Sequence, residues 1–157
     1  MNTPTPTVAA PTDPLALARA VGEAMWARDA ATHALGMQLE HIAPGEALMT
    51  MTVRKDMTNG HHMCHGGLIF TLADSAFAYA CNSYNVNAVA SACNIDFLAP
   101  AFEGDVLEAH AQERSSSGRT GVYDITVRVR GGQMVALFRG KSHRIKGDVL
   151  SGLAAAS

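Results

Sequence analysis

Cysteine is scarce in this chain: there are 3 in 157 residues, none of them in a C-x-x-C pair, which leaves no basis for a disulfide framework. An excess of charge of one sign is missing too. The formal balance of -2 at pH 7 gives no general attraction to nucleic acid or to an anionic membrane. The chain opens M-N-T-P-T-P-T, without a basic stretch leading into an apolar one, so no secretory signal is expected. The longest apolar run is interrupted by Asp74 and falls short of a membrane span. Charged residues make up only 17% against 48% apolar, so a buried core can form and disorder is not the expectation. These absences point to a soluble protein of the reducing cytoplasm, and the length suits one compact domain.

Residues 1–12 are rich in Thr, Pro and Ala and read as a disordered tail, with a single domain over 13–147 and a flexible C-terminal tail over 148–157. Asp13-Pro14 is a helix start, an acidic cap followed by proline, and Leu15, Ala18, Val21, Met25 and Trp26 keep helical spacing toward about Ala31. The stretches from Gly36 and from Glu46 alternate like two strands of a hairpin around Pro44-Gly45. A polar loop, Asp56 to Cys64, leads into an apolar helix from about Gly66 to Cys81. Four strand-like runs follow, Ala88–Leu98, Val106–Glu113, Gly121–Arg130 and Met134–Ile145, separated by glycine, proline and serine turns and expected as an antiparallel meander. The central helix is too apolar to lie on a surface, so the sheet must wrap around it, an α+β arrangement.

That helix, G-G-L-I-F-T-L-A-D-S-A-F-A-Y-A-C, carries one acid. Helical spacing sets Phe70 and Phe77 to either side of Asp74, and a carboxylate between phenyl rings is poorly solvated, which raises its pKa as in many functional acids. A bland account is equally available: a helix-interior Asp paired with a cation from the sheet, or facing water. Gly66-Gly67 opens the same helix with free N–H groups at the positive end of its dipole, where glycine lets a ligand approach the main chain. Such a terminus polarises a carbonyl; alone, it is often only a tight turn. An amide that polarises a carbonyl, together with a buried carboxylate, is what hydrolysis of an activated acyl group needs. Gly66 and Asp74 stand about 12 Å apart along one helix, too far to serve the same carbonyl, so cooperation requires a second subunit with an antiparallel helix alongside.

The arrangement Asn59-Gly-His-His-Met-Cys-His65-Gly66-Gly67, followed by Leu72-Ala73-Asp74, resembles the hotdog-fold acyl-CoA thioesterases. Within them it is similar to the phenylacetic acid degradation thioesterase group, as are A-F-A-Y-A-C-N-S, A-V-A-S-A-C-N-I-D-F-L-A-P, T-G-V-Y-D-I and A-L-F-R-G-K-S-H-R-I, over roughly residues 15–147. The resemblance implies a hotdog fold in homodimers with shared active sites that pair into tetramers. It implies hydrolysis of phenylacetyl-CoA or a ring-oxidised relative, with coenzyme A as part of the substrate and no other cofactor. Gly66 would then polarise the thioester carbonyl. Asp74 of the other subunit would act as base or nucleophile, Asn59 would orient thioester or water, and Ser75 would position water. Where some relatives carry a hydroxyl four residues after the acid, this chain has Ala78.

His61, His62, Cys64 and His65 have metal-ligand chemistry, but a structural zinc site uses two separated ligand pairs and no second pair exists, so no metal is expected. His65 is instead expected to tie down the turn before the helix, and His65 and Gly67 are both expected to border the bound substrate. Arg139, Lys141 and His143 alternate along the last strand, and Arg119-Thr120 follow a turn glycine; singly they read as surface charge, together as a place for coenzyme A phosphates. Phe70 and Phe77 would line a slot for an aryl group beside Asp74. The reading of another class is a non-catalytic hotdog module that senses acyl-CoA, which has no use for a buried base at Asp74 or an orienting amide at Asn59.

Overall fold

The computed structural model describes residues 9–153. Most of the expected N-terminal tail, residues 1–8, lies outside them, as do residues 154–157 of the expected C-terminal one; residues 9–12 are exposed. Helix α1, Pro14–Trp26, starts where Asp13 accepts the Ala16 N–H at 2.8 Å. It ends sooner than its periodicity suggests, because Asp29 caps a separate short helix α2, Ala30–Ala34, accepting from Thr32 N–H. The hairpin is present as β1, Gln38–Ala43, and β2, Glu46–Thr52. Helix α3, Gly66–Asn82, is followed by β3 (Ala88–Phe97), β4 (Val106–Ser117), β5 (Thr120–Val129) and β6 (Met134–Arg144).

The six strands form one antiparallel sheet in the order β1-β2-β4-β5-β6-β3. The expected meander is therefore only β4-β5-β6. β3 crosses to the far edge and pairs with β6, which leaves β4 free to join the first hairpin through β2. α3 packs against all six strands, so the sheet does wrap around it.

Small residues make that wrap possible. Ala73, Ala76 and Ala80 are fully buried against the inward-facing Ala47, Met49, Ala109, Ala111 and Ile125. At Gly140 of β6 a Cβ would stand 2.9 Å from the Phe77 ring, so a side chain there would push the strand off the helix. Phe77 is 1% exposed and packs on Tyr123 and Phe138 with ring centroids 5.5 and 6.2 Å apart. Truncating a phenyl in such a site costs about 3–5 kcal/mol.

Two further contacts position the site. Asn82, at the end of α3, donates from Nδ2 to the carbonyls of Ala78 and Ala88 and accepts the Ala88 N–H at 2.9 Å, fixing where β3 begins relative to the helix. The chain also stays packed past residue 147: Val149 is buried against Val21 and Ala24, and Leu150 N–H donates to Asn85 Oδ1, so the start of the segment read as a flexible tail is anchored. No helix among the described residues is long and apolar enough to cross a membrane.

Candidate active site

α3 begins at a loop tied on both sides. Asn59 Oδ1 accepts the N–H groups of His61 (2.9 Å) and Met63 (3.3 Å), Cys64 N–H donates to Ala101 O, and His65 N–H donates to Met57 O. Asn59 thus spends its carbonyl on the loop and keeps its Nδ2 donor without a protein partner among the described residues. His65 is the helix cap: its Nδ1 accepts the Gly67 N–H at 3.0 Å and its carbonyl accepts the Leu68 N–H. The tie expected of His65 is there, and it occupies the Gly67 N–H, so the expectation that the Gly67 amide meets the substrate gives way to a role in capping. Gly66 is left with the N–H that no group among the described residues accepts. A Cβ on Gly66 would stand 3.1 Å from Phe97 Cζ, so the half-exposed Phe97 ring of β3 lies over the helix start. Beside it runs a groove of about 340 Å³ walled by Met63, Ile69, Phe97, Leu98 and Pro100.

Asp74 is half-buried on the same helix, and burial raises its carboxyl pKa above the ordinary range. Neither bland alternative holds in full: no cation pairs with it among the described residues, and it is only partly open to water. Its neighbour is Cys93 on β3, whose Sγ lies 4.0 Å from Asp74 Oδ1. Phe70 is half-buried and packs edge-on against Phe138, 5.1 Å between centroids. Phe77 does not join a slot beside Asp74. It points into the core, and its expected role in substrate binding gives way to packing against β5 and β6. Ser75 is half-buried on α3.

The basic residues separate into two kinds. Arg139 donates two hydrogen bonds to Asp124, which also accepts from Arg114, so its charge is already matched, and Asp124 is held below the usual carboxylate range chiefly by Arg139. That weakens the expectation that Arg139 meets phosphate. Lys141 is exposed with no acid paired to it among the described residues, and Arg119 and Thr120 are exposed at the β4–β5 turn. Thr120 pairs with His143, and Ala88 with Arg144, so this basic corner sits at the opposite end of β3 from Phe97 and Gly66. The His61–His65 loop makes no metal constellation: among the described residues no three such side chains stand close enough to share an ion.

Cys93 and Phe97 were not singled out from sequence. The signal was present, since Cys93, Ile95 and Phe97 alternate on β3 and the strand's inward face must lie against α3.

Comparison with known proteins agrees with this arrangement. The thioesterase superfamily profile matches residues 61–136, the span from the loop before α3 into β6. The acyl-coenzyme A thioesterase PaaI of Escherichia coli is 56% identical over 80% of this chain and 90% of its own length. The structure of the E. coli PaaI protein from the phenylacetic acid degradation operon superposes with a TM-score of 0.83, covering 84% of this chain and 96% of that one. A mutant of the phenylacetic acid degradation protein PaaI from Thermus thermophilus gives 0.70 at 42% identity, over 73% of this chain and 97% of its own. A Streptococcus mutans protein bound to acetyl CoA gives 0.68 at 26%, over 71% and 90%. With that identity running through the tied loop, the capped helix and the wrapping sheet, the chain belongs to the hotdog-fold thioesterase superfamily and is an acyl-CoA thioesterase of the PaaI type.

Proposed function

We propose that the chain hydrolyses phenylacetyl-CoA or a ring-hydroxylated or ring-oxidised aryl-acyl-CoA, at sites built from two subunits. The observation that carries this is the pairing, on one continuous helix, of an unengaged Gly66 N–H and a half-buried Asp74 carboxylate about 12 Å apart. One carbonyl cannot touch both. An antiparallel two-fold pairing of β3 edges lays the Ala88 end of one subunit against the Phe97 end of its partner. The partner's acid and basic corner then approach this subunit's Gly66. Two such dimers would make a tetramer.

In this site the thioester carbonyl accepts from Gly66 N–H and the aryl group enters the apolar groove under Phe97. Asn59 Nδ2 orients the thioester or the water, and Ser75 helps hold the water. Asp74 takes a proton from that water, hydroxide adds to the carbonyl carbon, and the C–S bond breaks with its electron pair on sulfur. The proton then passes from Asp74 to the coenzyme A thiolate. Alternatively, Asp74 attacks the carbon itself and the C–S bond breaks with its electron pair on sulfur. Water then adds to the aspartyl carbon of the resulting anhydride, the acid leaves as its carboxylate, and a proton from that water goes to the coenzyme A thiolate. A raised carboxyl pKa suits either role only above that pKa, so activity rises with pH through it. Lys141 and Arg119 offer charge to the nucleotide phosphates.

The test is coenzyme A release from phenylacetyl-CoA. Asp74→Asn keeps the shape and removes the base, and kcat should fall by about 10²-fold or more while KM changes little. Near-normal turnover in the folded variant overturns the mechanism. Single-turnover hydrolysis in ¹⁸O-labelled water separates the two routes, since an attacking carboxylate leaves label in Asp74 and none in the first product.

A further inference from the structure

Cys93 has no part in the chemistry just described, yet it touches the group on which that chemistry depends. It faces inward from β3, two residues past Ser91, the residue that the ladder with β6 skips. A bulge of this kind re-aims the side chains that follow it. Among the described residues the Cys93 thiol is the one hydrogen-bond donor within reach of either Asp74 oxygen.

The other groups near the carboxylate are committed elsewhere or uncharged. Cys81, two turns along α3, donates to Ala78 O at 3.5 Å, and its sulfur accepts from Asn82 Nδ2. Opposite Cys93 and Ile95 on β6 stand Gly140 and Phe138, while Arg139 and Lys141 occupy the exposed positions of that strand. Burial, then the charge of Asp74, keep the Cys93 thiol protonated, which makes it a donor rather than a nucleophile.

We propose that Cys93 is a positioning residue for hydrolysis: its S–H donates to Asp74 Oδ1 and turns Oδ2 toward the water or thioester across the open edge of β3. The proposal rests on Asp74 being the acid group of the reaction. A thiol is a weak donor, so the effect is modest and specific.

The experiment measures coenzyme A release from phenylacetyl-CoA across pH for Cys93→Ala and Cys93→Ser, each with Asp74 present and with Asp74→Asn. Loss of a hydrogen bond worth about 0.5–1.5 kcal/mol predicts a kcat lower by about two- to twelve-fold in Cys93→Ala at roughly constant KM. Its acid limb moves to higher pH, because the charged form of Asp74 has lost its donor. Cys93→Ser restores kcat and returns the limb to the wild-type position or below it. If alanine is not tolerated in the fold, the serine limb alone carries the test. With Asp74→Asn in place, Cys93→Ala changes nothing further.

An alanine variant with an unmoved acid limb overturns the proposal whatever its rate, as does a serine variant no better than alanine. These failures differ from that of the underlying mechanism, in which Asp74→Asn itself turns over normally.

Discussion

The sheet has two edges, and they are finished differently. At β1 the edge is short and α1 lies against it, near enough that a Cβ on Gly22 would stand 3.2 Å from both Ile42 and Leu39. At β3 the edge runs for 10 residues, most of them exposed, and no described strand pairs with its outer side. Each edge carries one bulge, at Glu40 in β1 and at Ser91 in β3, so cover, rather than regularity, separates them. A long bare edge is a template for another chain, and folds that have no use for one blunt it. Here the bare edge runs past both groups of the proposed chemistry: the Phe97 ring lies over Gly66 at one end, and Cys93 Sγ stands 4.0 Å from Asp74 Oδ1 in the middle. The covered edge borders neither. The open edge is thus where a second subunit would complete the site.

The most demanding trial of this contrast is complementation. Gly66→Pro removes the polarising N–H, and proline is tolerated at a first helical position. The half-exposed Phe97 ring above it has solvent to move into. Asp74→Asn removes the acid and keeps the amide, and each variant alone should be nearly inactive. In a mixed dimer with crossed sites, one site carries both lesions and the other carries none. Equal amounts allowed to exchange should recover about a quarter of wild-type activity, since half the dimers are mixed and each has one intact site. Subunit exchange is checked by tagged pull-down. No recovery despite exchange means that the two groups do not share a site across subunits, and the open edge loses its catalytic meaning.

A smaller effect separates the edges themselves. Ser91 and Glu40 are each the residue that their ladder skips, and a bulge on an edge strand is where a sheet admits proline. Ser91→Pro should convert dimer to monomer in sizing experiments and take activity with it. Glu40→Pro also loses the bond from Thr50 Oγ1 and the ion pair with Arg130, and should cost about 1 kcal/mol while leaving assembly and kcat intact. If both variants remain assembled and active, β3 is not the interface.

Much of this was legible in the chain. The cap at Asp13, the hairpin at Pro44-Gly45 and the apolar α3 with its single acid all follow from local spacing, and local spacing is what a sequence displays. Three features were not, because they depend on distance in space. The crossing of β3 to the far edge is invisible when strand order is read as chain order. Phe77 shares a helix face with Phe70, yet only the absence of a side chain at Gly140 brings β6 down onto it and makes it core. Arg139 reads as a free cation until the register sets it beside Asp124 on β5. The loop before α3 lies between: His65 as a tie was readable from its place before two glycines, while the occupation of Gly67 by that tie was not.

The smallest effect concerns what the open edge costs in stability. Burial raises the Asp74 pKa, so the folded protein holds a proton there at pH values where the unfolded chain has released it. The favourable contribution is present below the unfolded value, about 3.9, and is lost as pH rises through the higher folded one. Asp74→Asn does not titrate. Its melting temperature should therefore exceed that of wild type at pH 7, by about 2–4 °C for each kcal/mol, and the gap should close toward pH 3. Asp124, away from the open edge, has the opposite sign: Arg139 and Arg114 lower its pKa, so its contribution is present above the unfolded value and is lost as pH falls through the folded one. Asp124→Asn should accordingly melt below wild type at pH 7 and converge with it in acid. Melting curves for the two variants across pH decide the matter. If Asp74→Asn melts below wild type at pH 7, the carboxylate is a stabilising member of the fold, and its burial is not the signature of a site kept for chemistry.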